Sequence, residues 1–251
     1  MYITCPKCNY KRQDTDKSSK DECPSCGLIF SKWLQNLVDE PEHGDFENTI
    51  SQRTNFGPSL LKFFFRPRES IGKPELFGYG ILWLVFAWWG IGFVMMDFQT
   101  SEIMRSWFHN VDLIFHEAGH MIFMPFGRIM SIMGGSLFQI LVPLILMFAF
   151  LIKNKDSFGA SLSLWWVEQS MMDIAPYIAD ARALRLPLLG GTTGADSIGR
   201  HDWRMILGNW GQLQNDTQIA ATVDFLESGV LLIALAWGVI MLFIYSRNLI
   251  D

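Results

Sequence analysis

A chain of 251 residues has room for one sizeable domain and a small accessory unit. Half of its residues are hydrophobic and only 18% are charged, and the apolar ones are clustered, as in a membrane protein carrying a soluble appendage. The net charge of −5 is too mild and too acidic to suggest nucleic acid as the main partner.

The four cysteines all lie near the start, as Cys5-Pro-Lys-Cys8 and Cys23-Pro-Ser-Cys26. A CxxC turn aims two thiolates at one point, and two such turns complete a tetrahedral zinc site. The interval between the pairs suits a short β-hairpin, and Gly27 follows the second pair where a turn needs it. Residues 1–35 therefore resemble a zinc ribbon whose small size makes the metal a folding requirement. Basic residues (Lys7, Lys11, Arg12, Lys17, Lys20, Lys32) and acidic ones (Asp14, Asp16, Asp21, Glu22, Asp39, Glu40) balance, which argues against a nucleic-acid patch. A closed four-thiolate site leaves no open position for chemistry, so the expected role is structural, with a protein or peptide partner.

Residues 36–75 read as a polar linker followed by a juxtamembrane segment, in which Phe63, Phe64 and Phe65 stand beside Lys62, Arg66 and Arg68. Residues 76–181 are expected to form the membrane core. Its first span is Leu76–Met96, its second runs from about Trp107 to Phe126, its third is Met130–Ile152, and its fourth, from about Phe158 to Ala181, carries Glu168, Asp173 and Asp180. Residues 182–228 follow as an extramembrane loop that ends in an amphipathic helix with Ile219, Val223 and Leu226 on one face. Residues 229–251 supply a fifth span, Gly229–Tyr245, and a tail. The expected fold is thus a polytopic α-helical membrane protein of about five spans with a small N-terminal zinc-ribbon β domain.

No apolar run of the signal-peptide kind opens the chain, so the N-terminus is expected in the cytosol. With that orientation the cytosolic flanks hold Lys62, Arg66, Arg68, Lys73, Arg128, Arg182, Arg185, Arg200 and Arg204. These outnumber Arg105, Lys153, Lys155 and Arg247 outside.

His116-Glu117-Ala118-Gly119-His120 stands inside the second span. An ionisable group at the bilayer centre costs roughly 2.5–3.5 kcal/mol on insertion scales, so such groups are rare there and usually functional. Residues i and i+4 share a helix face, which lets His116 and His120 offer two imidazoles to one zinc ion. Zinc lowers the pKa of a bound water to about 7, and the adjacent Glu117 is placed to act as base and then as acid toward a leaving amine.

An HExxH motif in an apolar helix, followed by a short Gly-containing hairpin and further spans, resembles the site-2 protease family of intramembrane zinc metalloproteases. The resemblance covers about residues 75–185. It implies a third zinc ligand from a later span, in a motif similar to Asp173-Ile-Ala-Pro176-Tyr-Ile-Ala-Asp180, with Asp180 as the ligand. It also implies that Met133-Gly134-Gly135-Ser136 matches a loop lining the substrate channel. The chain departs from the family pattern at Asp173 and Ala181, and Asp180 arrives one residue early. If Pro176 breaks the fourth span, Asp180 gains reach toward His120. Asp173, His201 and Glu168 stay open as alternatives to Asp180. His201 would otherwise sit in a surface loop where Asp202 caps a helix beginning at Trp203.

The expected function is a zinc endopeptidase acting within or near the bilayer on membrane-protein or peptide substrates, with one catalytic and one structural zinc. The alternative is a membrane adaptor or assembly factor whose ribbon binds a partner and whose HExxH is structural or degenerate. A proton relay through Glu117, Glu168 and Asp173 ranks third. The segment GGTTGADSIG lacks the Gly-Lys-Ser/Thr of a phosphate-binding loop and is expected to be a flexible loop.

Overall fold

The computed structural model describes residues 4–38, 56–67, 71–100, 102–196 and 199–249, and most of the expected linker lies outside them. The chain divides into two compact units, residues 1–59 and 60–251.

In the first unit the two cysteine turns are built alike. The Cys5 amide donates to Tyr10 O and the Asn9 amide to Cys5 O, both at 2.9 Å. The Cys23 amide donates to Leu28 O at 2.9 Å and the Gly27 amide to Cys23 O at 3.0 Å. Asn9 and Gly27 follow the second cysteine of each pair and have φ of 57° and 69°. This left-handed conformation is open to glycine and tolerated by asparagine. Each turn closes on itself through an isolated antiparallel bridge, Thr4 with Lys11 and Glu22 with Ile29. The described residues contain no extended strand, so the expected zinc-ribbon β domain is not shown there; two self-closed turns and the segment joining them are. Helix α1 (Phe30–Val38) follows, and Cys5, Cys23 and Phe30 form a small buried core with Tyr10 and Leu28 against it.

The second unit is helical. It comprises the end of α2 (Phe56–Phe64), α3 (Lys73–Val94), α4 (Trp107–Phe123), α5 (Arg128–Ala149), α6 (Ser157–Ala179), α7 (Asp202–Asn209) and α8 (Asp216–Arg247). Among the described residues, three helices are long and apolar enough to cross a membrane: α3, α5 with its π-helical extension to Asn154, and α8 with the short turn before it. Their outward side chains include Phe77 and Trp88 on α3, Ile145 on α5, and Phe225, Leu232 and Phe243 on α8. These exposed apolar faces fit association with lipid.

Helix α6 sits at the centre of the unit, with α3, α4, α5 and α8 packed around it. Most of its 23 residues are buried, among them Ser161, Ser163, Glu168, Gln169, Ser170 and Asp173. Its low apolar content follows from this position, because it meets protein rather than lipid. Some buried polar groups there are paired: Asp112 of α4 accepts from Trp166 Nε1 at 3.0 Å and Ser170 Oγ at 3.2 Å. Helix α4, at 17 residues, is about 26 Å long and shorter than a typical hydrocarbon core.

Three boundaries differ from the sequence expectation. Pro176 lies inside α6, which continues to Ala179, so the proline does not break the helix. Met133–Ser136 is helical, in α5, and not a loop. The amphipathic segment and the last span are one helix, α8. Ile219 and Val223 pack near Ile174 and Leu207, whereas Leu226 is exposed.

Local chemistry sets the helix ends that matter to the site. Ser106 caps α4 by accepting from the His109 amide at 3.2 Å. Gly127, with φ of 98°, makes the turn into α5. His201 caps α7 by accepting from the Arg204 amide at 3.2 Å, so the cap is His201 rather than Asp202, which is the first helical residue.

Candidate metal centre

Helices α4 and α5 cross at glycine. A side chain on Gly119 would collide with the Gly134 carbonyl, and one on Gly134 would lie 2.6 Å from the Gly119 carbonyl oxygen. This backbone contact brings α5 against the face of α4 that carries His116 and His120. Along α5, Ser131, Gly135 and Gln139 recur every four residues and form one stripe facing the imidazoles.

Each member of the stripe serves a histidine. His120 Nδ1 is 2.8 Å from the Ser131 carbonyl, and His116 Nδ1 is 3.2 Å from Gln139 Oε1. Gly135 leaves room for the His116 ring, since a β-carbon there would lie 2.5 Å from Nε2. The orientation of the Gln139 amide is set by its nitrogen, which donates to Asp173 Oδ2 at 3.0 Å and to the Ser170 carbonyl at 3.4 Å.

Two acceptors, a carbonyl and an amide oxygen, thus hold the proton on Nδ1 of each ring and turn each Nε2 outward. Both Nε2 atoms converge on Asp202 Oδ2, at 3.1 Å from His116 and 3.3 Å from His120. His116, His120 and Asp202 form a cluster able to hold a metal ion. Three lone-pair atoms meeting at one point require positive charge between them, either added protons or a cation. Burial opposes ionisation of Asp202, but its hydrogen bonds with His116 and His120 hold the carboxyl below its ordinary range.

Asp202 is held from behind. Its amide donates to the Tyr177 hydroxyl at 3.0 Å, and that hydroxyl is 3.4 Å from Asp202 Oδ2. The Tyr177 ring lies over His201 with centroids 4.3 Å apart. His201 is fully buried and donates from Nε2 to Asp180 Oδ2 at 3.3 Å. Asp180 also accepts from the amides of Arg185 and Leu186, at 2.8 and 3.0 Å.

The four sequence candidates for the third ligand therefore have other positions. Asp180 and His201 anchor the loop that delivers Asp202 and lie outside the metal cluster. Asp173 stands one step back from the imidazoles, joined to His116 through Gln139. Glu168 is fully buried and faces Glu227 of α8. Sequence reasoning did not place Asp202 in the cluster able to hold a metal, nor Gln139 and Ser131 as partners of the histidines. A signal for Gln139 was present: it is the one strongly polar side chain in the middle of an uncharged span.

Glu117 lines the same cavity as His116, His120 and Asp202. The cavity holds about 440 Å³ and is bordered by Leu113 of α4, Ile174 of α6, and Pro187–Gly190 of the loop after α6. That loop is a tight turn, with Pro187 bridged to Thr193 and glycines at positive φ at 190 and 191. It leads into the GGTTG segment, and Pro187–Gly190 form one wall of the cavity.

The second cluster able to hold a metal is Cys5, Cys8, Cys23 and Cys26. Cys5 and Cys26 sulfurs are 3.7 Å apart, and those of Cys8 and Cys23 are 3.6 Å apart. Burial raises the Cys23 thiol, yet the amides of Cys26 and Ser25 bring it down to about 7. The Leu28 amide favours the Cys26 thiolate, but burial and the neighbouring sulfurs push it up to about 12. Four sulfurs so close cannot all be anionic without a cation.

No protein-family model, curated protein or solved structure matches the chain.

Proposed function

We propose that the chain is a membrane-embedded, zinc-dependent endopeptidase. The observation that carries this reading is the convergence of His116 Nε2, His120 Nε2 and Asp202 Oδ2 beside Glu117 in a cavity. Two histidines and a carboxylate are a ligand set that zinc hydrolases use, with a further position left open to water or substrate. A bound zinc ion would supply Lewis acidity and lower the pKa of a coordinated water to about 7.

The chain's own groups do the rest. Gln139 and the Ser131 carbonyl fix the ring orientations, and Tyr177 steadies Asp202. Glu117 follows His116 on α4, so its carboxylate takes a proton on the cavity side and returns it to the departing amine. The reading keeps the proposed kinship with site-2 proteases but moves the third ligand to Asp202, at the start of α7, from Asp180.

In this reading α4 and α6 complete a five-span core around the site, with the N-terminus in the cytosol. The four-cysteine unit is a zinc ribbon with a structural ion, and it recruits a protein or peptide partner. A substrate helix must partly unwind to reach the cavity, because helical amides are shielded by their own hydrogen bonds.

The test is zinc stoichiometry of the full chain in detergent, alongside cleavage of membrane peptides. Wild type is expected to hold two zinc ions and the His116→Ala/His120→Ala double variant one. Glu117→Gln is expected to keep both ions and lose cleavage. Cleavage retained by Glu117→Gln would remove the mechanism. One ion in wild type and double variant alike would favour an adaptor whose HExxH carries no metal.

A further inference from the structure

The metal cluster occupies only part of its cavity. His109, one turn into α4, and Arg200, two residues before Asp202, line the same space. His109 is seven residues before His116 on one helix, so the two are separated by about 10 Å of helical rise. An extended peptide covers about 3.3 Å per residue. A chain bound across the metal cluster thus reaches His109 about three residues from the bond to be cleaved.

His109 is not loose at this position. Its Nδ1 is 2.8 Å from Asp173 Oδ1, and the other oxygen of Asp173 accepts from Gln139. The ring is thereby fixed, and Nε2 has no bonding partner among the described residues. Arg200 is exposed, and among the described residues no carboxylate lies within ion-pair distance of it. Of the acids lining the cavity, Asp202 is committed to the histidines, Asp173 to His109 and Gln139, and Glu117 stands beside the metal cluster. An arginine and an imidazole presented into a cavity that Leu113, Ile174, Leu188 and Leu189 also line suit an anionic group.

We propose that His109 and Arg200 form a subsite for a carboxylate of the bound peptide, about three residues from the scissile bond. The guanidinium binds it as a permanent cation with paired donors, and His109, as an imidazolium between Asp173 and the bound carboxylate, donates a second hydrogen bond from Nε2. This inference rests on the endopeptidase reading. The carboxylate could belong to an acidic side chain or to the chain terminus.

The test uses full-length Glu117→Gln protein in detergent, loaded with zinc, so that peptides bind without being cleaved. The probes are pooled N-acetylated decapeptides with a free or amidated C-terminus and with Glu or Gln at each internal position. Bound peptides are identified by mass spectrometry, and their affinities are measured by calorimetry. Carboxylate-bearing peptides are expected to bind about tenfold more tightly than their amide counterparts. A preference for free termini would identify the terminus as the source, and a preference for internal Glu the side chain. Added Arg200→Gln or His109→Gln should reduce the preference to about twofold or less while two zinc ions remain bound. Equal binding of carboxylate and amide peptides, alongside HExxH-dependent cleavage by the Glu117 protein, would overturn the subsite and leave the protease reading intact. If the Glu117 protein shows no HExxH-dependent cleavage, the protease reading falls and the subsite falls with it.

Discussion

Asp202 and His116 are 86 residues apart in the chain, yet Oδ2 of one lies 3.1 Å from Nε2 of the other. Asp180, the ligand expected from sequence, instead anchors the intervening loop through its two amide bonds and His201. The two aspartates should therefore separate by experiment. Asp202→Ala is expected to weaken zinc at the inner site by more than about 100-fold, since it removes a direct ligand where outer partners already cost 10–100-fold. Asp180→Asn should keep the ion and lower thermal stability by about 1–3 kcal/mol through lost loop hydrogen bonds. Metal titration of both variants decides the matter, and loss of zinc from Asp180→Asn alone would show the assignment to be wrong.

Glycine at 135 is a packing requirement of the site. An alanine there would set its β-carbon 2.5 Å from His116 Nε2. The ring must then turn away from Asp202, and Gly135→Ala is expected to weaken the inner zinc at least about tenfold with the cysteine site unaffected. Gly119→Ala acts differently, because its obstacle is the Gly134 backbone. It should force α4 and α5 apart and cost about 1–3 kcal/mol of stability, as overpacking does. Zinc affinity beside thermal unfolding separates the two effects. Wild-type affinity in Gly135→Ala would rule out the proposed ring position.

The parts of this site that were legible in sequence are those governed by local periodicity. His116, Glu117 and His120 follow from the helical repeat, and the cysteine pairs follow from the geometry of a tight turn. The apolar runs of α3 and α5 announced themselves, and the last span was found with its start displaced because α8 begins within the polar segment. The third member of the cluster was not legible, since nothing in local spacing says which distant acid a loop will return to the histidines. Asp202 even looked like a cap, the commonest task of an aspartate before a helix. The polar content of α6 was also ambiguous, because a buried helix surrounded by protein and a poor membrane span have similar compositions. The stripe Ser131, Gly135, Gln139 was there to be read, but its meaning needed the facing helix.

Gln139 joins His116 to Asp173, and through it to His109. Gln139→Leu preserves bulk but removes the acceptor that fixes the His116 tautomer and a donor to buried Asp173. Its inner zinc affinity is expected to fall by about 10–100-fold. Gln139→Glu keeps an acceptor for His116 and should retain more affinity than the leucine variant, although it sets a second carboxylate beside Asp173. Competition with a fluorescent zinc chelator measures both. Equal, wild-type affinities would mean that the hydrogen bond to Nδ1 does not orient the ligand.

The cysteine unit poses the question of what holds a few dozen residues together. Its described core is Cys5, Cys23 and Phe30, supported by Tyr10 and Leu28, too little apolar area for a stable fold of its own. Structural zinc sites supply roughly 10–16 kcal/mol of apparent binding energy at neutral pH, which here would be folding energy. Cys8 is exposed, so Cys8→Ser removes a thiolate without opening the core. That variant, or chelation of the wild type, is expected to abolish amide-exchange protection over residues 4–38. Protection across 71–249 should persist in Cys8→Ser, since contacts divide the chain into separate compact units. Chelation would also strip the inner site, so protection lost near His116 under chelator but kept in Cys8→Ser would report the two ions independently. If residues 4–38 stay protected in both, the unit folds on its own contacts and its metal is not structural.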